Sequence, residues 1–323
     1  MPKNYRETSE EKNRWLLAAL SFLTVALVLS SCRALEKQQN HYYNIVVDGV
    51  ERSYIVHVPR SYEPSRGASV LLIFHGGGVD AEQQMVLSGL NKTADSQGFL
   101  AVYPQGTSAL FGKWRTWNAG SCCGKAQRQN VDDVKFIAMM IDDLSLKYNV
   151  NQRQIFATGM SNGGMMVYRL ACEQSSRIAA IAPVAATMSV DQCKPSRALS
   201  VLHIHGRADE FVPFKGGYGR NTDNGPFRSV DDTIALFVTL NGCQKTPQLT
   251  YQKGDVQCLS YIPCRDNAEV TLCSVEGGGH TWPQGTPFPK GGRTTNDISA
   301  NEAMWKFFQA HPMPEKRIPP LTQ

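Results

Sequence analysis

The chain has 323 residues, with 33 Lys and Arg against 28 Asp and Glu, a formal net charge of +5 and 42% apolar residues. This is the composition of an ordinary globular protein, and so small a charge, without a dense Lys/Arg block, argues against a nucleic-acid partner. Nine cysteines point towards an oxidising compartment.

The first segment reads as an address. Met1–Arg14 is polar and basic, Trp15–Val28 is apolar, and Leu29-Ser30-Ser31-Cys32 follows. A basic region, a short hydrophobic core and small residues describe a secretory signal over 1–31. The ending resembles a bacterial lipobox, so Cys32 is expected to carry lipid and tie the protein to a membrane. An ordinary cleaved signal and an uncleaved anchor helix are the alternatives. Arg33 after the cysteine suits the outer membrane, if the cell has two. Residues 32–40 then form a polar tether, 41–312 one domain, and 313–323 a Pro-rich tail.

Within the domain, Tyr43–Pro59 alternates around Asp48-Gly49, an opening hairpin. Strands are expected near 69–74, 100–103, 154–158, 178–184, 199–204 and 270–276. Helices are expected near 82–96, 131–148, 162–173, 229–241 and 297–310. Such alternation predicts an α/β fold, a mainly parallel sheet with helices on both faces. No inserted helical lid is apparent.

Four motifs fall just after predicted strands. Ile155–Gly164 reads IFATGMSNGG, a G-x-S-x-G centred on Ser161 between a strand and a helix. Val201–Asp209 (VLHIHGRAD) ends on Asp209, and Val275–Pro283 (VEGGGHTWP) carries His280. A serine hydroxyl is a weak nucleophile until an imidazole takes its proton, and the imidazole needs a carboxylate to hold its tautomer. The order Ser161, Asp209, His280 is that of the α/β-hydrolase fold. Upstream, Val70–Gly78 (VLLIFHGGG) is of the oxyanion-hole type, with backbone donors expected from Gly77, Gly78 and Asn162.

Plainer readings compete at each position. Ser161 would also serve as a helix N-cap, and His280 as a turn residue. Asp191, Asp231 and Asp232 also lie between Ser161 and His280, although the last two suit the first turn of a helix. His203 and His205 point the same way from one strand. A metal pair there lacks an evident third ligand, so local hydrogen bonding around the acid loop is expected and no metal. Three long loops, 106–130, 211–227 and 282–296, offer Trp114, Trp117, Phe211, Phe227 and Trp282 as walls for a substrate, with Trp282, Trp117 and Phe211 the chosen candidates. Each would equally serve as local packing. Eight cysteines remain after Cys32, and Cys172–Cys193 and Cys243–Cys264 are the expected pairs. Cys122 and Cys123 are expected to pair outward, because a ring between neighbours is strained.

FHGGG (74–78), WNAGSCCG (117–124), VDDVKFI (131–137), ATGMSNGGMMVYRLACE (157–173), HIHGRADEFVP (203–213) and GGGHTWP (277–283) together resemble the polyhydroxybutyrate depolymerase-like esterases, a family that includes secreted feruloyl and acetylxylan esterases. The resemblance implies Ser161 as nucleophile, Asp209 as acid and His280 as base. It also implies ester hydrolysis without metal or organic cofactor, on a small ester, polyester or polysaccharide ester. A serine peptidase of the same fold and a silent hydrolase-fold binding protein are the alternatives.

Overall fold

The computed structural model describes residues 39–220 and 225–315. The signal segment, Cys32, most of the tether and the end of the tail lie outside the described residues. In chain order, β1 (Asn40–Val47) and β2 (Val50–His57) flank Asp48-Gly49 as expected. β3 (Ala68–Phe74) leads to α1 (Ala81–Ser88), α2 (Leu90–Gln97) and β4 (Leu100–Pro104). A small hairpin of β5 (Thr107–Leu110) and β6 (Lys113–Thr116) is followed by α3 (Gly124–Arg128) and α4 (Asp133–Lys147). Then come β7 (Val150–Met160), α5 (Asn162–Glu173), β8 (Ala180–Val184), β9 (Ser200–Gly206) and α6 (Val230–Leu240). β10 (Gln248–Lys253), β11 (Val256–Tyr261), β12 (Val270–Val275) and α7 (Ala300–Ala310) complete the described strands and α-helices.

The main sheet runs β1-β2-β4-β3-β7-β8-β9-β12-β11-β10. Its centre, from β4 through β12, is parallel. β2 joins one side antiparallel, and β11 and β10 extend the other. A parallel strand covered on both faces must be apolar throughout, which is why VLLIF carries no polar break. Its residues alternate between two cores. Val70, Leu72 and Phe74 join Phe136, Ile137, Tyr168 and Phe237 on one face. Leu71 and Ile73 join Leu90, Ala94, Trp305 and Phe308 on the other. This is the α/β-hydrolase architecture, and it opens the carboxyl ends of the parallel strands to a common edge, where ligands bind in such sheets.

Three features differ from the sequence expectation. The single helix expected near 82–96 is two, because Gly89 adopts φ 62° and caps one helix while opening the next. β10 is exposed along its whole length, so it lacks the alternation that marks a strand in sequence. Cys122 and Cys123 do not pair outward. Cys258 and Cys273 face each other across β11 and β12 and form a disulfide, while Cys172–Cys193 and Cys243–Cys264 pair as expected. With six cysteines so engaged, Cys122 and Cys123 are joined to each other.

Candidate active site

Ser161 lies between β7 and α5 with φ 58° and ψ −128°. A non-glycine residue held there costs about 1–3 kcal/mol, which the surrounding packing must sustain. The packing is close. A Cβ on Gly163 would lie 2.4 Å from the carbonyl oxygens of Phe74 and His75, and one on Gly159 would lie 2.8 Å from Gly163 and Phe74. The strand-to-helix turn thus has no room for side chains at positions 159 and 163. The Ser161 N–H donates to the Val184 carbonyl at 3.0 Å, which ties the turn to β8.

Asp209 follows β9 and His280 follows β12, so both stand at the sheet edge that Ser161 occupies. The His280 Nδ1–H donates to Asp209 Oδ2 at 2.8 Å. The other carboxylate oxygen accepts the backbone N–H groups of Phe211 at 2.8 Å and Val212 at 2.9 Å. Asp209 and His280 are both buried. Burial pushes the Asp209 carboxyl up, but hydrogen bonds from His205 and His280 outweigh it and hold the group well below the usual carboxylate range. It is therefore an anion at neutral pH. With Nδ1 engaged, Nε2 of His280 is the nitrogen left to take a proton.

The competing acids lie elsewhere. Asp231 and Asp232 occupy the first turn of α6, where Asp232 accepts from the Ser229 hydroxyl at 2.6 Å. Asp191 is exposed.

The glycine loop after β3 is riveted from three sides. His75 is fully buried, its Nδ1–H donates to the Gly76 carbonyl at 2.7 Å, and its Nε2 accepts the Gly106 N–H at 2.9 Å. The Trp117 indole N–H donates to the His75 carbonyl at 3.0 Å. Gly78 N–H donates to the Arg115 carbonyl at 2.8 Å. This last bond corrects the sequence reading, since an N–H already given to a carbonyl is not free for an oxyanion. Gly77 and Asn162 remain the candidate donors. The Asn162 side chain grips the Trp117 backbone, accepting from its N–H at 2.7 Å and donating to its carbonyl at 3.1 Å.

Burial pushes the His75 imidazole down to about 4. A folded value below the unfolded one near 6.5 means that stability is full above about pH 6.5 and falls as the pH drops towards 4. The loss is about 3 kcal/mol at its limit. Melting temperature followed from pH 7 to 4 is expected to fall, and to fall less steeply in His75→Asn. An equal slope in the two proteins would remove His75 as the cause.

Two expected substrate walls prove to be core. Trp117 is fully buried, 5.2 Å from the Phe74 ring and 4.9 Å from the His75 ring between centroids. Trp282 is 2% exposed, and its indole N–H donates to Asn301 Oδ1 at 2.9 Å. An indole beneath a loop, with its one polar atom satisfied inward, is packing. Phe211 is different. It is part-buried, its ring lies 5.1 Å from the His280 ring, and it lines a cleft of about 560 Å³ with Arg220, Gly279 and Arg293. Trp114 and Phe111 stand exposed on the β5–β6 hairpin, whose Arg115 carbonyl holds the glycine loop. Phe227 packs against the core.

A serine on a strained turn, followed along the chain by an acid and a histidine on the same edge of a parallel sheet, defines the α/β-hydrolase class. The model of the Phospholipase/Carboxylesterase family matches residues 62–222 of this chain. Feruloyl esterase B of Piromyces equi is 29% identical over 71% of this chain, and the chain spans 42% of that protein's length. A putative esterase, NocK, of Nocardia uniformis subsp. tsuyamanensis is 29% identical over 76% of this chain and 74% of its own length. Among solved structures, an acetyl xylan esterase from Aspergillus awamori superposes with a TM-score of 0.58 at 14% identity, covering 84% of this chain and 99% of its own, a likeness of fold.

Proposed function

We propose that the chain is an exported serine carboxylesterase. The observation that carries this reading is the bond from His280 Nδ1–H to a doubly capped Asp209 carboxylate, at the sheet edge where the strained Ser161 turn also stands. His280 takes the Ser161 proton as Oγ attacks the ester carbonyl, and the carbonyl electrons pass to an oxyanion. The backbone N–H groups of Gly77 and Asn162 receive that charge, and each such donor is worth about 3 kcal/mol of barrier. Collapse of the intermediate expels the alcohol, which takes the proton back from His280. Water, deprotonated by the same imidazole, then releases the acid and restores Ser161.

The substrate is proposed to be a feruloyl, acetyl or hydroxyalkanoate ester of modest size or on a polysaccharide. Feruloyl and acetylxylan esterases among the relatives support this, as does Phe211 beside His280, where an aromatic acyl group would stack. Four disulfides among the described residues fit an oxidising compartment. Cys32 is the proposed lipid attachment, which would hold the enzyme at the cell envelope.

A turnover panel of methyl ferulate, acetylated xylan, hydroxybutyrate oligomers, p-nitrophenyl acetate and an aminoacyl p-nitroanilide tests the reading. Ester turnover, with methyl ferulate favoured at least about tenfold over p-nitrophenyl acetate in kcat/KM, is expected if Phe211 binds the acyl group. Turnover of the anilide above every ester would instead identify a peptidase.

A further inference from the structure

Behind the proposed acid lies a buried chain of groups that the mechanism above does not use. The Tyr168 hydroxyl is 2.6 Å from His203 Nδ1, and His203 Nε2 is 3.0 Å from His205 Nδ1. His205 Nε2 is 2.8 Å from the Val212 carbonyl and 3.3 Å from Asp209 Oδ2. Tyr168, His203 and His205 are all 1% exposed or less.

The direction of every bond follows from one end. The Val212 carbonyl can only accept, so His205 Nε2 carries a hydrogen. In a neutral ring His205 Nδ1 must then accept, so His203 Nε2 donates to it. His203 Nδ1 accepts in turn, and the Tyr168 hydroxyl donates to it. Each donor is thus polarised by the one behind it, and the chain ends in the His205 Nε2–H on the Val212 carbonyl, 3.3 Å from Asp209 Oδ2. Burial drives the His203 imidazole well below its ordinary value, consistent with a neutral ring.

We propose that His205, backed by His203 and Tyr168, is a positioning residue of the reaction. The relay brings the His205 Nε2–H, bonded to the Val212 carbonyl, to 3.3 Å from Asp209 Oδ2, beside the three hydrogen bonds from Phe211, Val212 and His280, and sets how strongly that carboxylate pulls on the His280 imidazolium. The inference rests on the triad reading. The titratable neighbours facing the relay are Asp209 and His280 at its head. The rings of Phe214 and Phe237 flank His205 and Tyr168, and Arg207 lies over the far ring, Phe214.

Removing the relay leaves the Asp209 charge less neutralised, which favours protonated His280. The base then becomes available only at higher pH. In His205→Leu the acid limb of the kcat/KM profile is expected to move up by about half a unit or more, with kcat/KM near pH 6 falling about threefold or more. Tyr168→Phe, which removes one oxygen at the far end, is expected to shift the limb the same way by less. His205→Gln keeps an N–H towards Asp209 and is expected to restore the parental limb. A purely structural role would lower activity without moving the limb. Parental limbs in folded His205→Leu and Tyr168→Phe overturn the relay, and Tyr168→Phe decides alone if His205→Leu does not fold. Ser161→Ala, run alongside, keeps the two claims apart. Its inactivity with an unmoved limb in Tyr168→Phe sinks the relay only, whereas its full activity sinks the triad.

Discussion

Ser161→Ala is expected to lower p-nitrophenyl acetate hydrolysis by about 10⁴-fold or more and to abolish labelling by a fluorophosphonate probe. The substitution removes only Oγ. The backbone at φ 58° and its bond to Val184 remain, and the glycines on either side still admit the turn. Melting temperature should therefore stay near that of the parent, so loss of activity reads as lost chemistry. Residual turnover would come from the oxyanion donors and from binding. A variant that retains the parental rate would end the serine mechanism.

Asp209→Asn is expected to cost about 10⁴-fold in kcat near neutral pH, again with the fold intact. Oδ1 accepts the backbone N–H groups of Phe211 and Val212, so the amide oxygen must take that place. The amide NH₂ then stands where Oδ2 was, facing the Nδ1 of His280 and the Nε2 of His205. Two donors cannot share a proton, so His280 must present a bare Nδ1 and hold its hydrogen on Nε2. An imidazole protonated on the nitrogen facing Ser161 is no longer its base. A variant within tenfold of the parent in steady-state turnover would remove Asp209 from its proposed role.

The elements at the centre of the sheet were legible because their residues obey a local period. VLLIF is a continuous apolar run, and IFATGM and VLHIHG are apolar except at Thr158, His203 and His205, as strands buried on both faces tend to be. Ser161, Asp209 and His280 stood out because each stands just beyond such a run. Trp117 and Trp282 misled because an aromatic residue in a loop reads alike whether it faces a ligand or the core. Only burial separates them, with Phe211 left beside His280 and both tryptophans inside.

What the sequence determined by itself was the alternation of strand and helix, the glycines that admit the Ser161 turn, and the order of the three candidate groups. Each of these is read from patterns that are local in sequence and from their order along the chain. Tertiary structure alone decided that Gly78 spends its N–H on Arg115, that Cys258 meets Cys273, and that Tyr168, His203 and His205 line up behind Asp209. Hydrogen bonds and disulfides join atoms a few ångströms apart in space, and nothing in the local pattern encodes which distant segment will supply the partner.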